Sequence, residues 1–266
     1  MSGRLSLIVV AALVLAATLG AQVANDACAN ATPIAEGVLV NGSNVGASSG
    51  PDPVACSAGN DVWYALNASC NAQYIAATCA AGTSFDTVLS VWSGSSGCGA
   101  LTLVACNDNN CAIPGLAQAS RVTFTATAGA LYYVSVGGKL GATGTFALQV
   151  AFNPVMTLAF FNLGPGTIGY QVTGPPGGAF YLAVALLPGA FPFGWFFGLD
   201  LPLFDIVAQV NAGPPFIGTF SPCGVATFGP VGGAPSGLTL YAVAIGFVPG
   251  SQTPTFASNP TTTTIP

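Results

Sequence analysis

Arg121-Val122-Thr123-Phe124-Thr125-Ala126-Thr127 alternates between polar and apolar side chains, and Thr145-Phe146-Ala147-Leu148-Gln149-Val150 repeats the pattern. Because successive side chains of a β-strand point to opposite faces, this alternation indicates half-buried antiparallel strands. Between the two stretches, residues 131–136 read as another strand, with glycine turns at residues 128–130 and 137–141. Three successive strands joined by short turns predict an antiparallel sheet.

The rest of the chain carries the same signal. Further strands are predicted at residues 62–66, 73–79, 87–92 and 101–106, and in the second half at residues 167–172 and 238–244. Long helices are excluded because 35 Gly and 20 Pro interrupt the 266-residue chain. We therefore predict an all-β fold of two antiparallel, jelly-roll-like β-sandwiches. A change of composition near Asn153-Pro154 places the domains at residues 25–152 and 156–266.

Two segments of the second half leave alternatives open. Residues 202–210 space their apolar side chains Leu203, Ile206, Val207 and Val210 as a helix would, so a single short helix or an irregular segment would fit. Residues 180–199 carry no charge and have the length of a membrane span, but their Pro and Gly residues would interrupt a lipid-exposed helix. We expect two strands and an aromatic loop there.

The N-terminus is predicted to be an export signal. Arg4 supplies one positive charge, an apolar run covers residues 5–17, and small residues follow. The run is shorter than the roughly 20 residues that a membrane-spanning helix needs. This arrangement is typical of a secretory signal peptide, here residues 1–21. The mature protein is therefore expected to be secreted or held at the cell surface, without a transmembrane span.

The cysteines of an exported chain predict disulfide bonds. Seven of the eight lie in the first half, so at least one of the seven is free, pairs with Cys223 or reaches another chain. Without histidine or a C-x-x-C motif, structural cross-links are a better interpretation than a zinc site. The candidates are Cys28, Cys56, Cys70, Cys79, Cys98, Cys106, Cys111 and Cys223.

Charge and residue types exclude several classes of function. Three basic residues in a chain of net charge −5 cannot form a surface that follows phosphates, so nucleic acid is not an expected partner. The absence of histidine removes Ser-His and Cys-His dyads, and with them most hydrolytic mechanisms that use a nucleophile. The sequence therefore predicts a protein that is not an enzyme and requires no cofactor.

Six groups of residues in the first half resemble the bacterial pre-peptidase C-terminal domain. They are Asn25-Asp26-Ala27-Cys28, Asp61-Val62-Trp63-Tyr64, Thr78-Cys79, Phe85-Asp86-Thr87-Val88-Leu89-Ser90-Val91, Val104-Ala105-Cys106-Asn107-Asp108 and Tyr132-Tyr133-Val134-Ser135-Val136-Gly137-Gly138. The match covers residues 25–152 in the order of the family and is similar to the cysteine-rich versions in secreted proteins of planctomycete-like bacteria. This resemblance implies a non-catalytic β-sandwich. The second half is more distantly similar to C-terminal β-sandwich modules of the same proteins.

Acidic and amide side chains mark where an ion would bind. Asp86, Asn107 and Asp108 lie at strand ends in segments that carry the resemblance, and related domains in some cases hold an ion near such a loop. Calcium prefers carboxylate and amide oxygens, so these three residues are the candidate calcium ligands. The alternative is that they form Asx turns without a metal.

The sequence then predicts a non-catalytic structural or binding module outside the cell. Aromatic and uncharged polar side chains suit neutral polymers such as polysaccharides or other cell-surface polymers, and Trp195, Phe196 and Phe197 are the candidate binding residues. One alternative is a carbohydrate-active enzyme, which needs two carboxylates about 5 to 10 Å apart in one cleft. Another is association with a membrane surface through the aromatic residues 191–197.

Overall fold

A computed structural model describes residues 23–94 and 96–266, so the predicted signal peptide at residues 1–21 lies outside the described residues. Nine strands form in the first half: β1 (Thr32–Pro33), β2 (Leu39–Ser43), β3 (Ala58–Asn67), β4 (Ala72–Ala77), β5 (Thr87–Ser93), β6 (Thr102–Asp108), β7 (Arg121–Ala126), β8 (Leu131–Lys139) and β9 (Thr145–Phe152). Two 3-10 turns accompany them, at Cys28–Asn30 and Gly97–Ala100.

The second half adds eight strands and one α-helix. In chain order they are β10 (Thr157–Gly164), β11 (Thr167–Thr173), β12 (Ala179–Ala185), α1 (Leu203–Ala212), β13 (Ile217–Thr219), β14 (Val225–Gly232), β15 (Thr239–Phe247), β16 (Phe256–Ala257) and β17 (Thr261–Thr264). The all-β prediction is confirmed, and the helix-like spacing at residues 202–210 does form a helix.

The first half packs two sheets face to face. One has the strand order β1-β3-β8-β5-β6 and the other β2-β9-β4-β7, and all neighbours are antiparallel except β1 and β3. In β7, Val122, Phe124 and Ala126 are buried between the sheets, whereas Thr123 and Thr125 are exposed. The period-2 pattern that predicted this strand therefore corresponds to one buried face and one solvated face.

Strands β5 and β8 depart from that pattern because both of their faces are covered. A second cluster forms on the outer side of their sheet, where Trp63, Trp92 and Tyr133 pack with Cys28. The N-terminal segment closes over it: the Asn25 side chain donates to the Trp63 carbonyl at 2.9 Å, and the Trp63 N–H donates to the Asn25 carbonyl at 2.8 Å. The five-stranded sheet is thus buried on two sides around its centre.

The second half has three layers. The sheet β10-β11-β14 faces the sheet β13-β12-β15-β16, in which β17 also pairs with β15. Tyr170, Val172, Phe180 and Leu182 are buried between the two sheets. The outer face of the second sheet is covered by α1 and by residues 186–202, which form the third layer. A two-layer sandwich does not describe this half completely.

The expectation of two strands within residues 180–199 is wrong. Only β12 forms there, and after Ala185 the chain continues as a loop held by two isolated bridges, Gly194↔Gly198 and Phe196↔Leu199. Proline and glycine explain the difference, because Pro cannot donate to a β-ladder and Gly favours tight turns. In the described ranges, no helix is long and apolar enough to cross a membrane.

All eight cysteines form disulfide bonds, as predicted. Three bonds lie within the first half, Cys28–Cys98, Cys56–Cys106 and Cys79–Cys111. The fourth, Cys70–Cys223, joins the two halves across 153 residues. Of the alternatives for the odd cysteine, the structure therefore selects pairing with Cys223. Disulfides of this number indicate an oxidising, extracellular type of environment.

We expect the Cys70–Cys223 bond to couple the unfolding of the two halves. Replacing both cysteines by serine should lower the free energy of unfolding by about 2 to 5 kcal/mol. In differential scanning calorimetry, the second half should then unfold in a separate transition at lower temperature, since none of the other three disulfides reaches it. Cys79→Ser combined with Cys111→Ser is the matched control and should shift the first half. Transitions that stay superimposed in the Cys70/Cys223 variant would contradict this coupling.

Candidate functional site

The outer face of the sheet built on β12 and β15 carries the feature that distinguishes the second half. Tyr181 and Ala183 of β12 and Val243 and Ile245 of β15 point to this face and are buried. Leu199 and Leu201 cover them from the loop, and α1 covers them with Ile206. The third layer is therefore fixed to the sheet by apolar contacts rather than suspended over it.

The loop that carries the predicted binding residues folds tightly on itself. At Gly194, an added Cβ atom would lie 2.1 Å from the Leu199 carbonyl carbon, so only glycine fits there. Two backbone hydrogen bonds, from Phe196 to Leu199 at 2.9 Å and from Gly198 to Gly194 at 3.0 Å, close the loop. Phe197 adopts a φ of 51°, a left-handed conformation that is rare for a bulky side chain and costs about 1 kcal/mol or more. The loop thus holds its aromatic side chains in a defined arrangement.

The three predicted binding residues separate into two kinds. Trp195 is 62% exposed and Phe197 is 43% exposed, whereas Phe196 turns inward against the Tyr181 ring at a centroid distance of 6.1 Å. The Trp195 ring stands edge-on to Phe196, with 5.4 Å between centroids. Phe193, which the sequence analysis included only in the aromatic segment 191–197, is the most exposed of the group at 88%. Phe196 therefore packs the loop against the sheet, and Phe193, Trp195 and Phe197 form the exposed surface of the loop.

Helix α1 shows its apolar side to solvent. Leu203 and Phe204 are 68% and 81% exposed, and Val207 and Val210, which continue the same side, are also exposed. The polar Gln209 instead faces the sheet, where its carbonyl accepts from the Val184 N–H at 3.1 Å and from the Tyr181 hydroxyl at 3.0 Å. Its amide nitrogen donates to the Val184 carbonyl at 2.6 Å. This orientation is the reverse of an ordinary surface helix.

The backbone of β12 explains why a polar side chain points inward. β13 pairs only with Ala179–Tyr181, so the edge of β12 beyond Tyr181 lacks a neighbouring strand at Val184. The Gln209 amide bonds both the N–H and the carbonyl of Val184, as a strand would. Gln209 thus satisfies a buried sheet edge and sets the rotation of the helix.

A cleft of about 700 Å³ lies between the first turns of α1 and the segment that follows β12. Leu186, Leu187 and Leu201 form apolar walls, and Asp200 and Asp205 also line it. Burial raises the pKa of the Tyr181 hydroxyl to about 12, and the nearby Asp205 carboxylate adds to this shift. Two carboxylates therefore line one cleft, as the carbohydrate-active alternative also requires.

We name the exposed side chains of this third layer the apolar surface. It consists of Leu186, Leu187, Phe193, Trp195, Phe197, Leu203, Phe204, Val207 and Val210. No Lys or Arg occurs between residues 140 and 266, and Asp200 and Asp205 are the only acids in that range. Large exposed apolar patches are typical of interaction sites, so the apolar surface is the candidate functional site. Sequence periodicity found the helix but not its rotation, because nothing in the pattern reveals the role of Gln209.

The predicted calcium ligands do not all meet. Asn107 is engaged elsewhere: its amide donates to the Arg121 carbonyl at 2.7 Å, and its carbonyl accepts from the Asp108 N–H at 2.8 Å. Asp86 and Asp108 do lie together, and burial, then the neighbouring Asp108 carboxylate, raises the pKa of Asp86. The Lys139 ammonium pairs with Asp108. Across residues 23–94 and 96–266, no group of three or more acidic, cysteine or histidine side chains is arranged to hold a metal.

Asp61 of β3 is a buried acid that the sequence analysis did not flag as a site. It is only 2% exposed, and its Oδ2 atom has no hydrogen-bond partner. Burial raises the pKa of Asp61 from 3.8 to about 6; the Asp52 and Asp26 carboxylates add to this, and a backbone hydrogen bond opposes it. A carboxyl in this state stabilises the fold only while it is protonated.

Comparison with known proteins does not assign the chain to a family. No protein-family model matches the chain, and no curated protein matches it. One solved structure with a likeness is the glycoside hydrolase domain of Endo-D from Streptococcus pneumoniae R6, with 10% sequence identity over 77% of this chain and 31% of that chain. This chain thus spans about a third of that protein, and the TM-score is 0.19, which establishes neither a shared fold nor a shared activity.

We expect stability to fall as the pH rises from about 4 to about 6. In this range the folded protein keeps the proton on Asp61 while the unfolded chain releases it, so folding is linked to proton uptake. The full effect is about 3 kcal/mol for this shift. Urea titrations of wild type and Asp61→Asn should show a smaller decline in the variant. Asp205→Asn is the control, and an equal pH dependence in all three proteins would contradict a raised pKa of Asp61.

Lys139→Gln tests the cation position between Asp86 and Asp108. Both acids carry a buried oxygen without a hydrogen-bond partner, so removing the ammonium should destabilise the protein by about 1 to 2 kcal/mol. If calcium binds there, millimolar calcium should raise the Tm of the variant more than that of the wild type, because ammonium and ion compete for the same carboxylates. If calorimetric titration with calcium gives no heat and the Tm of neither protein shifts, Asp86, Asn107 and Asp108 form turns without a metal.

Proposed function

We propose that this chain is a non-catalytic binding module of the extracellular space that attaches to a lipid surface with uncharged or zwitterionic headgroups. The observation that carries the proposal is the outward orientation of α1, which exposes Leu203, Phe204 and Val207 while its polar Gln209 is used inside. Helices that lie in the plane of a membrane interface present an apolar side in this way.

The aromatic loop supports the same partner. Trp195 and Phe193 are exposed on a loop that packs on the same sheet face as the helix, and Trp in particular prefers the boundary between headgroups and acyl chains. A large apolar side chain contributes about 1.5 to 3 kcal/mol when it is fully transferred out of water. A few such side chains are enough for reversible binding to a bilayer, whereas a membrane-spanning segment is not needed.

Charge selects among the possible partners. Without Lys or Arg between residues 140 and 266, the surface has no attraction to anionic lipid or to polyanions. A second copy of the chain is disfavoured, because a two-fold contact through this surface would bring Asp200 and Asp205 of both copies together without a cation. A surface of uncharged or zwitterionic headgroups has neither disadvantage.

Recognition of neutral glycans through Trp195 is the second candidate. The exposed Trp195 ring is a platform of the type on which sugars stack, and Asp200 is close by in the chain. Glycan sites, however, also need many hydrogen-bonding groups, since every sugar hydroxyl loses water on binding. The residues that flank Trp195 in the loop are Phe193, Gly194, Phe196 and Phe197, which offer no side-chain hydrogen-bonding group, and this favours the lipid surface.

A hydrolytic role for Asp200 and Asp205 has less support. The general acid of a glycosidase sits in an enclosed site that excludes water, whereas Asp200 is exposed at the mouth of its cleft. We therefore assign this cleft to binding rather than to catalysis. For the first half we propose a pre-peptidase C-terminal-like sandwich, and its support is that four of the six matching segments lie on β3, β8, β5 and β6, which are consecutive in one sheet.

Binding should be tested with the intact, oxidised protein and vesicles of zwitterionic lipid. Trp63 and Trp92 are buried, so a blue shift of tryptophan emission on adding vesicles would report Trp195. Phe193→Ser combined with Phe204→Ser should weaken co-sedimentation at least about tenfold, because both side chains are over 80% exposed and their loss leaves the core intact. Wild-type binding should change little between about 50 mM and about 500 mM salt.

Leu140→Ser is the matched control, since Leu140 is 87% exposed but lies in the first half. This variant should bind vesicles like the wild type. Binding to insoluble neutral polysaccharide without binding to vesicles would replace the lipid proposal by the glycan candidate. Self-association that the double Phe variant abolishes would show instead that a second copy covers the surface.

A further inference from the structure

We infer that the cleft beside the apolar surface binds the primary ammonium group of an amphiphile, with its apolar chain against the cleft walls. This inference rests on the proposed function and deepens it, because it names the lipid headgroup that the module would select. The charged groups of the cleft, Asp200 and Asp205, are not among the side chains of the apolar surface. The argument starts from the shape of the cleft.

The cleft has the size and lining of a site for one short amphiphile. Its volume of about 700 Å³ lies within the range of small-molecule pockets. Leu186, Leu187, Leu201 and Pro202 provide the apolar part of its wall. Leu186 and Leu187 are also members of the apolar surface, so the cleft opens at the face that would lie against the lipid.

Its two carboxylates have no partner of their own. Across the described ranges, neither the Asp200 nor the Asp205 carboxylate accepts a hydrogen bond or forms an ion pair. Internal neutralisation is not available either, because no Lys or Arg occurs in residues 140–266. Two carboxylates beside apolar walls attract a cation that can also donate hydrogen bonds.

The backbone places Asp200 at a defined position between the cleft and the aromatic loop. An added Cβ atom on Gly194 would lie 2.4 Å from the Asp200 nitrogen, and one on Gly189 would lie 2.5 Å from the Asp200 Cβ. Both contacts require glycine, so the chain packs against Asp200 from two sides. The backbone and Cβ atom of Asp200, packed in this way, need little reordering when a ligand binds.

The residues that line the cleft limit which lipid headgroups it can bind. Recognition of a quaternary ammonium relies on aromatic faces around the cation, and none of the residues that line the cleft is aromatic. A primary ammonium has three N–H groups that can donate hydrogen bonds to two carboxylates. A headgroup with a net negative charge would be repelled by both acids. The ligand is therefore an ammonium-bearing amphiphile, of which a phosphoethanolamine-type lipid is the membrane form.

Soluble probes test the cleft without a bilayer. Isothermal titration of n-octylammonium, n-octanol and octanoate should give a Kd for the ammonium at least about tenfold lower than that for the alcohol, and no binding of the carboxylate. Asp200→Asn combined with Asp205→Asn should remove the preference for the ammonium. Asp52→Asn, which removes a charge in the first half and keeps an acceptor for the Cys28 N–H, should bind like the wild type.

Vesicles separate this inference from the proposed function. The Asp200/Asp205 variant should still bind zwitterionic vesicles but lose any preference for those that contain phosphatidylethanolamine over phosphatidylcholine. The Phe193/Phe204 variant should lose vesicle binding and still bind n-octylammonium. Equal affinity for octanol and octylammonium, or an ammonium preference that survives both Asn substitutions, would overturn the ammonium site while leaving the lipid proposal standing.

Discussion

The pairing of β12 with β15 gives one sheet a hydrophobic core on each of its faces. Their register runs from Ala179↔Phe247 to Ala185↔Tyr241, so alternate side chains of both strands point in opposite directions. Phe180 and Leu182 enter the core between the sheets, and Tyr181 and Ala183 enter the outer one. An apolar outer face cannot be left to water, and this requirement brings the following loop and helix onto it.

The loop and helix cover the outer face, but the edge of β12 still lacks a neighbouring strand at Val184. The strand β13 is too short to complete the edge of β12, and the Gln209 amide replaces the missing backbone at Val184. Because residues three and four apart share a face of a helix, anchoring Gln209 inside places Ile206 inside with it and turns Leu203, Val207 and Val210 outward. The apolar surface is thus a direct consequence of satisfying two backbone groups.

The two halves differ in their disulfide bonds and in where their charged side chains lie. The first half is held by three disulfides and two cores, and its acids are used internally, as at Asp61 and in the pair of Asp108 with Lys139. The second half has neither basic residues nor disulfides of its own, and its two acids face a cleft. A support linked by a disulfide bond and an apolar face with little charge are what the proposed attachment to a neutral surface requires.

The sequence by itself determined the strands with a clear alternation, since the period of 2 survives wherever one face is buried and the other solvated, as in β7 and β9. It also predicted a second strand within residues 180–199 that does not form. It also determined that cysteines would pair. Tertiary structure decided the partner of Cys70, the third layer and the side of α1 that faces solvent. Each of these depends on contacts between residues far apart in the chain, and the spacing of apolar side chains records only that a helix has such a side. Which side is buried was settled by an unpaired sheet edge and one glutamine.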